Sequence, residues 1–354
     1  MYALFDQSRR GSISKNPCSM SALVSEVDDD LAPHGGAEST DTVVTTTAIA
    51  SAADRTREIH EATRYILSQL PVEYHNPRVG IICGSGLSYL GEVVENAVHI
   101  PYADIPHFPS STKMVQGHGN KMVIGKMHGV ICICLLGRYH MYEGHSIHDI
   151  AFPVYVLADL TVDSVVLTNS AGALDDSFEV GDIMVIEDHI SLVCMSGFSP
   201  LRGENLEEFG PRFPSMTAAY YEKSYELALG AGVPAAGVAA TGEGGGEGGK
   251  CREGARGCRL QRGVYVGVGG PSFETKAEVK YLTLMGGHAV GMSTTPEAIC
   301  ATHASLRVVA LSLITNTQKS GVAPSHEEVL SATESSSRTM VHLVTHVVGQ
   351  LGTT

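Results

Sequence analysis

Three side chains packed into five residues, Arg138, His140 and Tyr142, directly follow the apolar run Val130–Leu136. In extended chain they share one side. A guanidinium and an imidazole can then donate together to an anion, while the tyrosine offers a hydroxyl and an aromatic face. A second anion-binding element is Val79–Leu87, where an apolar run breaks into Gly84-Ser85-Gly86. A strand ending in a glycine turn leaves backbone N–H groups converging on one point. The glycines allow close approach, and Ser85 adds a hydroxyl donor. Ser293, after Gly291-Met292, is a further hydroxyl; Thr168–Ala173 reads either as a backbone donor at Ser170 or Ala171 or as a tight turn. Three other exits differ in character: Phe273 can stack on a flat ring, Glu274 can accept from ring N–H groups, and Asn316 presents both a donor and an acceptor. An oxyanion pocket beside an aromatic platform and an amide–carboxylate pair describes a phosphate next to a heterocycle. His118, between Gly117 and Gly119, reads on its own as a solvated loop histidine.

The glycine turn is not a P-loop, because no Gly-Lys-Ser/Thr follows, and Gly84-Ser85-Gly86-Leu87-Ser88-Tyr89 lacks the third glycine of a dinucleotide fingerprint. His145 and His148 invite a metal reading, but no carboxylate or cysteine completes a ligand spacing, so no metal is expected. A net charge of −14 over 354 residues excludes an electrostatic nucleic-acid binder. No apolar run is long enough to span a bilayer. The eight cysteines form no CxxC pair and read as reduced, structural thiols, which with an acidic, signal-free N-terminus makes a cytoplasmic location the expectation.

The elements that must position these groups alternate. Strands are expected at Val79–Cys83, Met122–Gly125, Val130–Leu136, Ser164–Thr168, Ile183–Glu187, Val264–Val268, Ala289–Met292 and Val308–Ile314. Helices are expected at His148–Leu160, Ala218–Leu229, Lys276–Leu284, Thr295–His303 and Ser325–Val348, with Ser88–Ala97 also helix-compatible. Ile59, Ala62, Ile66 and Leu70 mark one face of a further helix that Pro71 ends. The pattern predicts an α/β single domain, a twisted mixed β-sheet flanked by helices. Residues 1–51 read as a disordered extension, 52–354 as the domain, and 230–257, with its run of glycines, as a flexible insertion.

In their order along the chain, seven strings resemble the trimeric purine nucleoside phosphorylases: Ile82–Leu87, Gly137–Gly144, Phe178–Met184, Gly270–Thr275, Val290–Thr294, Ile314–Asn316 and His326–Val329. The resemblance implies that Ser85, His118, Arg138, His140, Ser293 and the Ser170 backbone hold inorganic phosphate. Tyr142, Met292 and His326 would line the ribose. Phe273, Glu274 and Asn316 would hold the purine, with Val290 and Gly291 completing its pocket. Phe213 would reach a neighbouring subunit's site in a homotrimer. The implied reaction is reversible phosphorolysis of 6-oxopurine (deoxy)ribonucleosides such as inosine and guanosine to base and (deoxy)ribose 1-phosphate. Asn316, Glu274 and His118 would be the catalytic groups, phosphate a co-substrate, and no cofactor involved. The alternatives are a methylthioadenosine or adenosine phosphorylase, which an aspartate at position 316 would suit better, and a catalytically silent nucleoside-binding protein. Two departures stand out: Thr317 replaces a lysine usual in animal members, and Ser170 replaces a common alanine.

Overall fold

The computed structural model describes residues 50–84, 87–109, 120–234, 258–317 and 326–353, with the backbone alone over 326–336. Residues 1–49 of the expected extension and 235–257 of the expected insertion lie outside the described residues. So do Ser85, Gly86 and the segment carrying His118.

The chain opens on α1 (Ala52–Ser68), where the Ser51 hydroxyl accepts from the Asp54 N–H and so satisfies one of the helix's open donors. Ile59, Ala62 and Ile66 face the core, and Leu70 is buried just beyond the helix end. Then follow β1 (Val79–Ile82), β2 (Glu95–Pro101), β3 (Lys121–Met127), β4 (Val130–Leu136), α2 (Ile147–Asp159), β5 (Ser164–Ala173), β6 (Ile183–Ser191), α3 (Leu192–Met195), α4 (Ser224–Leu229), β7 (Leu260–Gly267), α5 (Lys276–Leu284), β8 (Ala289–Gly291), α6 (Thr295–His303), β9 (Arg307–Thr317) and α7 (His326–Leu351).

The nine strands form one mixed sheet in the order β2-β3-β4-β1-β5-β8-β7-β6-β9, and β9 pairs again with β5. That last pairing closes β5, β8, β7, β6 and β9 into a ring, from which β1, β4, β3 and β2 extend as an open wing. β1 runs parallel to β4 and β5, and β5 parallel to β9, whereas β8 is antiparallel to β5. Side chains of α1, α2 and α6 share one apolar core with the sheet, and those of α4 and α7 share another. Central strands buried on both faces read as unbroken apolar runs, as β1 and β4 do.

Three expectations are corrected. Ser88–Ala97 is not a helix: a 3-10 turn over Ser88–Val93 leads into β2, an edge strand antiparallel to β3. Only Ile100 of β2 is buried, so its apolar signal is faint. The helix expected at Ala218–Leu229 shortens to α4, because the Tyr221 N–H donates to the Val308 carbonyl (2.8 Å) and holds the chain against β9. Thr168–Ala173 is not a turn but the second half of β5, and β9 likewise runs on to Thr317.

A clasp holds the chain where β7 begins. The Leu260 N–H donates to the Pro234 carbonyl (2.7 Å), and Arg259 donates from Nε and Nη2 to the buried Asp182 carboxylate at 3.1 and 2.7 Å. Asp182 also accepts from Gln261 and the Glu179 N–H, so the string Phe178–Met184 acts in holding the chain together.

Candidate active site

β4 delivers Arg138 and His140 from its C-terminal end, both buried. His140 is in extended backbone, but Tyr142 sits in the 3-10 turn Met141–Glu143, so the strand alternation expected for all three does not hold. Tyr142 instead reaches the same place by stacking on His140, with centroids 4.7 Å apart and planes 19° off parallel. The turn is tied by Glu143, whose Oε2 accepts from the His140 N–H (2.9 Å) and lies 3.1 Å from Nδ1. That contact fixes the imidazole's orientation.

Beside it, β1 and β5 approach so closely that only glycine fits at position 84: a Cβ there would lie 2.7 Å from the Thr168 carbonyl oxygen and 2.8 Å from Asn169 Cα. The Gly84 N–H donates to Thr168 Oγ1 (3.0 Å). Gly172, lower on β5, lies directly opposite Asn316 of β9, just past a bulge at Ala171. The Thr315 hydroxyl donates to Asn316 Oδ1 (3.3 Å), an arrangement that leaves Nδ2 as the amide's donor.

These pieces meet in one cavity of about 330 Å³. Its wall includes Arg138, His140, Tyr142, Ser170, Phe273, Glu274, Val290, Gly291, Met292, Ser293 and Asn316, so eleven of the residues singled out from sequence are brought together. Its volume falls within the range of about 300–1,000 Å³ usual for small-molecule sites. Phe273 is 40% exposed, a ring held at the cavity rim. Glu274 is partly buried, and desolvation, reinforced by Glu278, raises its carboxyl above the ordinary glutamate value. Tyr265 lies behind Gly291 and Ser293. Burial pushes its phenol up to about 12, so it stays a neutral hydroxyl and accepts from the Ser293 N–H at 3.4 Å.

Phe213 does not line this cavity; its side chain is 87% exposed, with the Arg212 guanidinium 5.3 Å from the ring centroid. His326 is the first residue of α7. Three polar residues at the site escaped sequence reasoning. Glu297 forms a buried ion pair with Arg138, Nε to Oε1 at 2.9 Å. Thr294, fully buried, has φ +71°, a region that β-branched residues rarely adopt. Asn169 donates from Nδ2 to Thr294 Oγ1 at 2.9 Å. Asn169 and Thr294 lie in strings already singled out, whereas Glu297 has only its place in the first turn of the expected helix Thr295–His303. Cys83, Cys132, Cys134, Cys194, Cys258 and Cys300 are free; burial pushes the Cys83 and Cys258 thiols up to about 12, which keeps them from acting as thiolates.

The family model of the phosphorylase superfamily matches residues 78–349. Purine nucleoside phosphorylase from Mus musculus is 42% identical over 293 residues, covering 82% of this chain and 93% of that protein. The chain belongs to the purine nucleoside phosphorylases. Purine nucleoside phosphorylase 1 from Bacillus subtilis (strain 168) is 39% identical over 299 residues, covering 82% of this chain and 98% of its own. The crystal structure of a schistosome purine nucleoside phosphorylase in complex with hypoxanthine superposes with a TM-score of 0.72 at 32% identity, covering 85% of this chain and 99% of that one. The mixed sheet with helices on both faces is the fold of this purine nucleoside phosphorylase family, and the chain is an enzyme.

Proposed function

We propose that the cavity carries out reversible phosphorolysis of 6-oxopurine nucleosides, inosine and guanosine, yielding the free base and ribose 1-phosphate. The observation that carries the reading is that Arg138, Glu274 and Asn316, from three distant parts of the chain, line one cavity with Phe273 at its rim. The hypoxanthine held by the schistosome relative is the base such a reaction releases from inosine.

Phosphate sits against Arg138, His140, Ser170 and Ser293, and the family resemblance assigns Ser85 and His118, outside the described residues, to the same anion. It is a co-substrate, and no cofactor takes part. Tyr142, Met292 and His326 flank the ribose. As the glycosidic bond lengthens the sugar becomes cationic, and the phosphate is both nucleophile and electrostatic partner to it. Negative charge meanwhile accumulates on the purine. Asn316 Nδ2 donates to N7 or O6, a bond that strengthens as the charge develops and so lowers the barrier rather than merely binding substrate. Glu274 accepts from the N1–H and fixes the ring. Holding both reactants in line replaces the need for a covalent nucleophile on the protein.

Phe213, exposed on its own subunit, reaches into the site of a neighbour in a homotrimer. Among the described residues no helix is long and apolar enough to cross a membrane, and we assign the enzyme to the cytoplasm. The test is inosine absorbance followed with and without phosphate, alongside the protein's mass in solution. Phosphate-dependent loss supports the reading. Phosphate-independent loss indicates a hydrolase, no change indicates a nucleoside-binding protein, and a monomeric active enzyme removes Phe213 from the site.

A further inference from the structure

We infer that Glu297 is a positioning residue for phosphate, setting which nitrogen of the Arg138 guanidinium faces the cavity. This rests on the reading of Arg138 as the phosphate-binding arginine.

The guanidinium is planar, with its donors in a fixed fork. Two of its three nitrogens are committed to protein. Nε donates to Glu297 Oε1 at 2.9 Å. Nη1 donates to the Thr168 carbonyl at 2.8 Å and to Ser293 Oγ at 3.2 Å, with Thr294 Oγ1 at 3.4 Å. Nη2 is buried and makes no hydrogen bond among the described residues. Fixing Nε and Nη1 fixes the direction of Nη2, which is the donor left over for a ligand. Both partners are buried, Arg138 at 3% and Glu297 at 2% exposure. The pair therefore sits where an arginine lacking its carboxylate would reorient toward any remaining acceptor.

The backbone around Glu297 is built to hold it there. Glu297 lies in the first turn of α6, where a carboxylate is favoured by the helix dipole. The residue before that helix is Thr294, whose positive φ lets one hydroxyl meet Asn169 Nδ2, Ser293 Oγ and Arg138 Nη1 together. A strained β-branched residue persists only where its surroundings over-determine it. Here the surroundings include Arg138 itself and Ser293, which Arg138 also touches.

The experiment measures KM for phosphate and for inosine, kcat and Tm in the full-length enzyme and in Glu297→Ala, Glu297→Gln and Arg138→Gln. Losing a hydrogen bond to a charged group makes the phosphate KM of Glu297→Ala rise roughly 10- to 100-fold, with inosine KM within about twofold of the parent. Glu297→Gln lowers Tm, because the guanidinium loses its counter-charge, yet it keeps an oxygen that accepts from Nε and so retains a near-parental phosphate KM. A merely structural role would move both KM values together in both variants, and that outcome overturns the inference, as does an unchanged phosphate KM in Glu297→Ala. Should the alanine variant fail to fold, Glu297→Asp, which withdraws the carboxylate by one methylene, is expected to show the same phosphate-selective rise; without it the inference is wrong. If Arg138→Gln itself leaves phosphate KM unchanged, the assignment of the phosphate site fails, a result distinct from failure at Glu297 alone.

Discussion

Gly172→Ala should disable the base-binding end of the site by displacing the Asn316 amide. A Cβ at position 172 would lie 2.8 Å from Asn316 Nδ2 and 3.3 Å from its Oδ1, closer than a carbon and an amide nitrogen can approach. The backbone at Gly172 is in a conformation that alanine adopts freely, so it is the amide that must move. Asn316 is anchored by the Thr315 hydroxyl at 3.3 Å, a long bond that yields before β5 does. Misaligning a hydrogen bond to developing charge forfeits about 1.5–3 kcal/mol, a loss of roughly 10- to 150-fold in kcat/KM at 1.4 kcal/mol per tenfold. The assay is steady-state inosine phosphorolysis at saturating phosphate, paired with a thermal melt. The decisive comparison is a double-mutant cycle with Asn316→Ala. If Gly172→Ala acts through the amide, it has little further effect once the amide is gone, and the coupling approaches its full single-mutant effect. Additive losses, or an unchanged kcat/KM in Gly172→Ala, would refute the reasoning.

Three further outcomes are expected. Asn316→Asp should shift the inosine-to-adenosine rate ratio toward adenosine, since a carboxylate accepts from a 6-amino group where the amide donates to a 6-oxo group; an unchanged ratio in a substrate panel counts against it. Glu274 has its carboxyl raised by desolvation, so on acidification it protonates, and loses its ability to accept from N1–H, at a higher pH than an ordinary glutamate. The acid limb of kcat/KM for inosine should therefore lie above the usual glutamate range and be absent in Glu274→Gln. His60 is raised from its ordinary 6.5 chiefly by a hydrogen bond to Asp159, which its Nδ1 meets at 3.0 Å, with Glu208 on Nε2 at 3.2 Å. Its stabilisation is complete below 6.5 and disappears as pH rises through the raised value, so the Tm deficit of His60→Gln should be present in mild acid and close in alkali.

The chemistry of the site was legible because residue type and spacing survive without a fold: Arg138-x-His140 after an apolar run, and Phe273-Glu274 beside a Pro, announce donors, acceptors and a platform. The flanking strands were legible from apolar runs for the same reason. What the sequence hid depends on distance along the chain. The Arg138–Glu297 pair joins residues 159 positions apart, and no local pattern marks the glutamate as anything but the first-turn acid of a helix. The return pairing of β9 on β5 is equally non-local, and an unbroken apolar strand looks alike in an open sheet and in a closed ring. β2 was lost because an edge strand with one buried residue carries almost no periodic signal. Asn169 and Ser170 read as a possible turn because small polar residues favour turns, and pairing with Ser312 and Leu313 of β9 overrides that preference.

The clasp at the start of β7 anchors that strand at the end farthest from the base-binding loop. Leu260 is held by the Pro234 carbonyl and Arg259 by Asp182, so the strand's register is set at its first residue. β7 then runs eight residues, roughly 26 Å, before its far end gives way to the loop carrying Phe273 and Glu274. A change at Asp182 or Arg259 is therefore transmitted along β7 and reaches the base-binding loop from the end of the strand farthest from it.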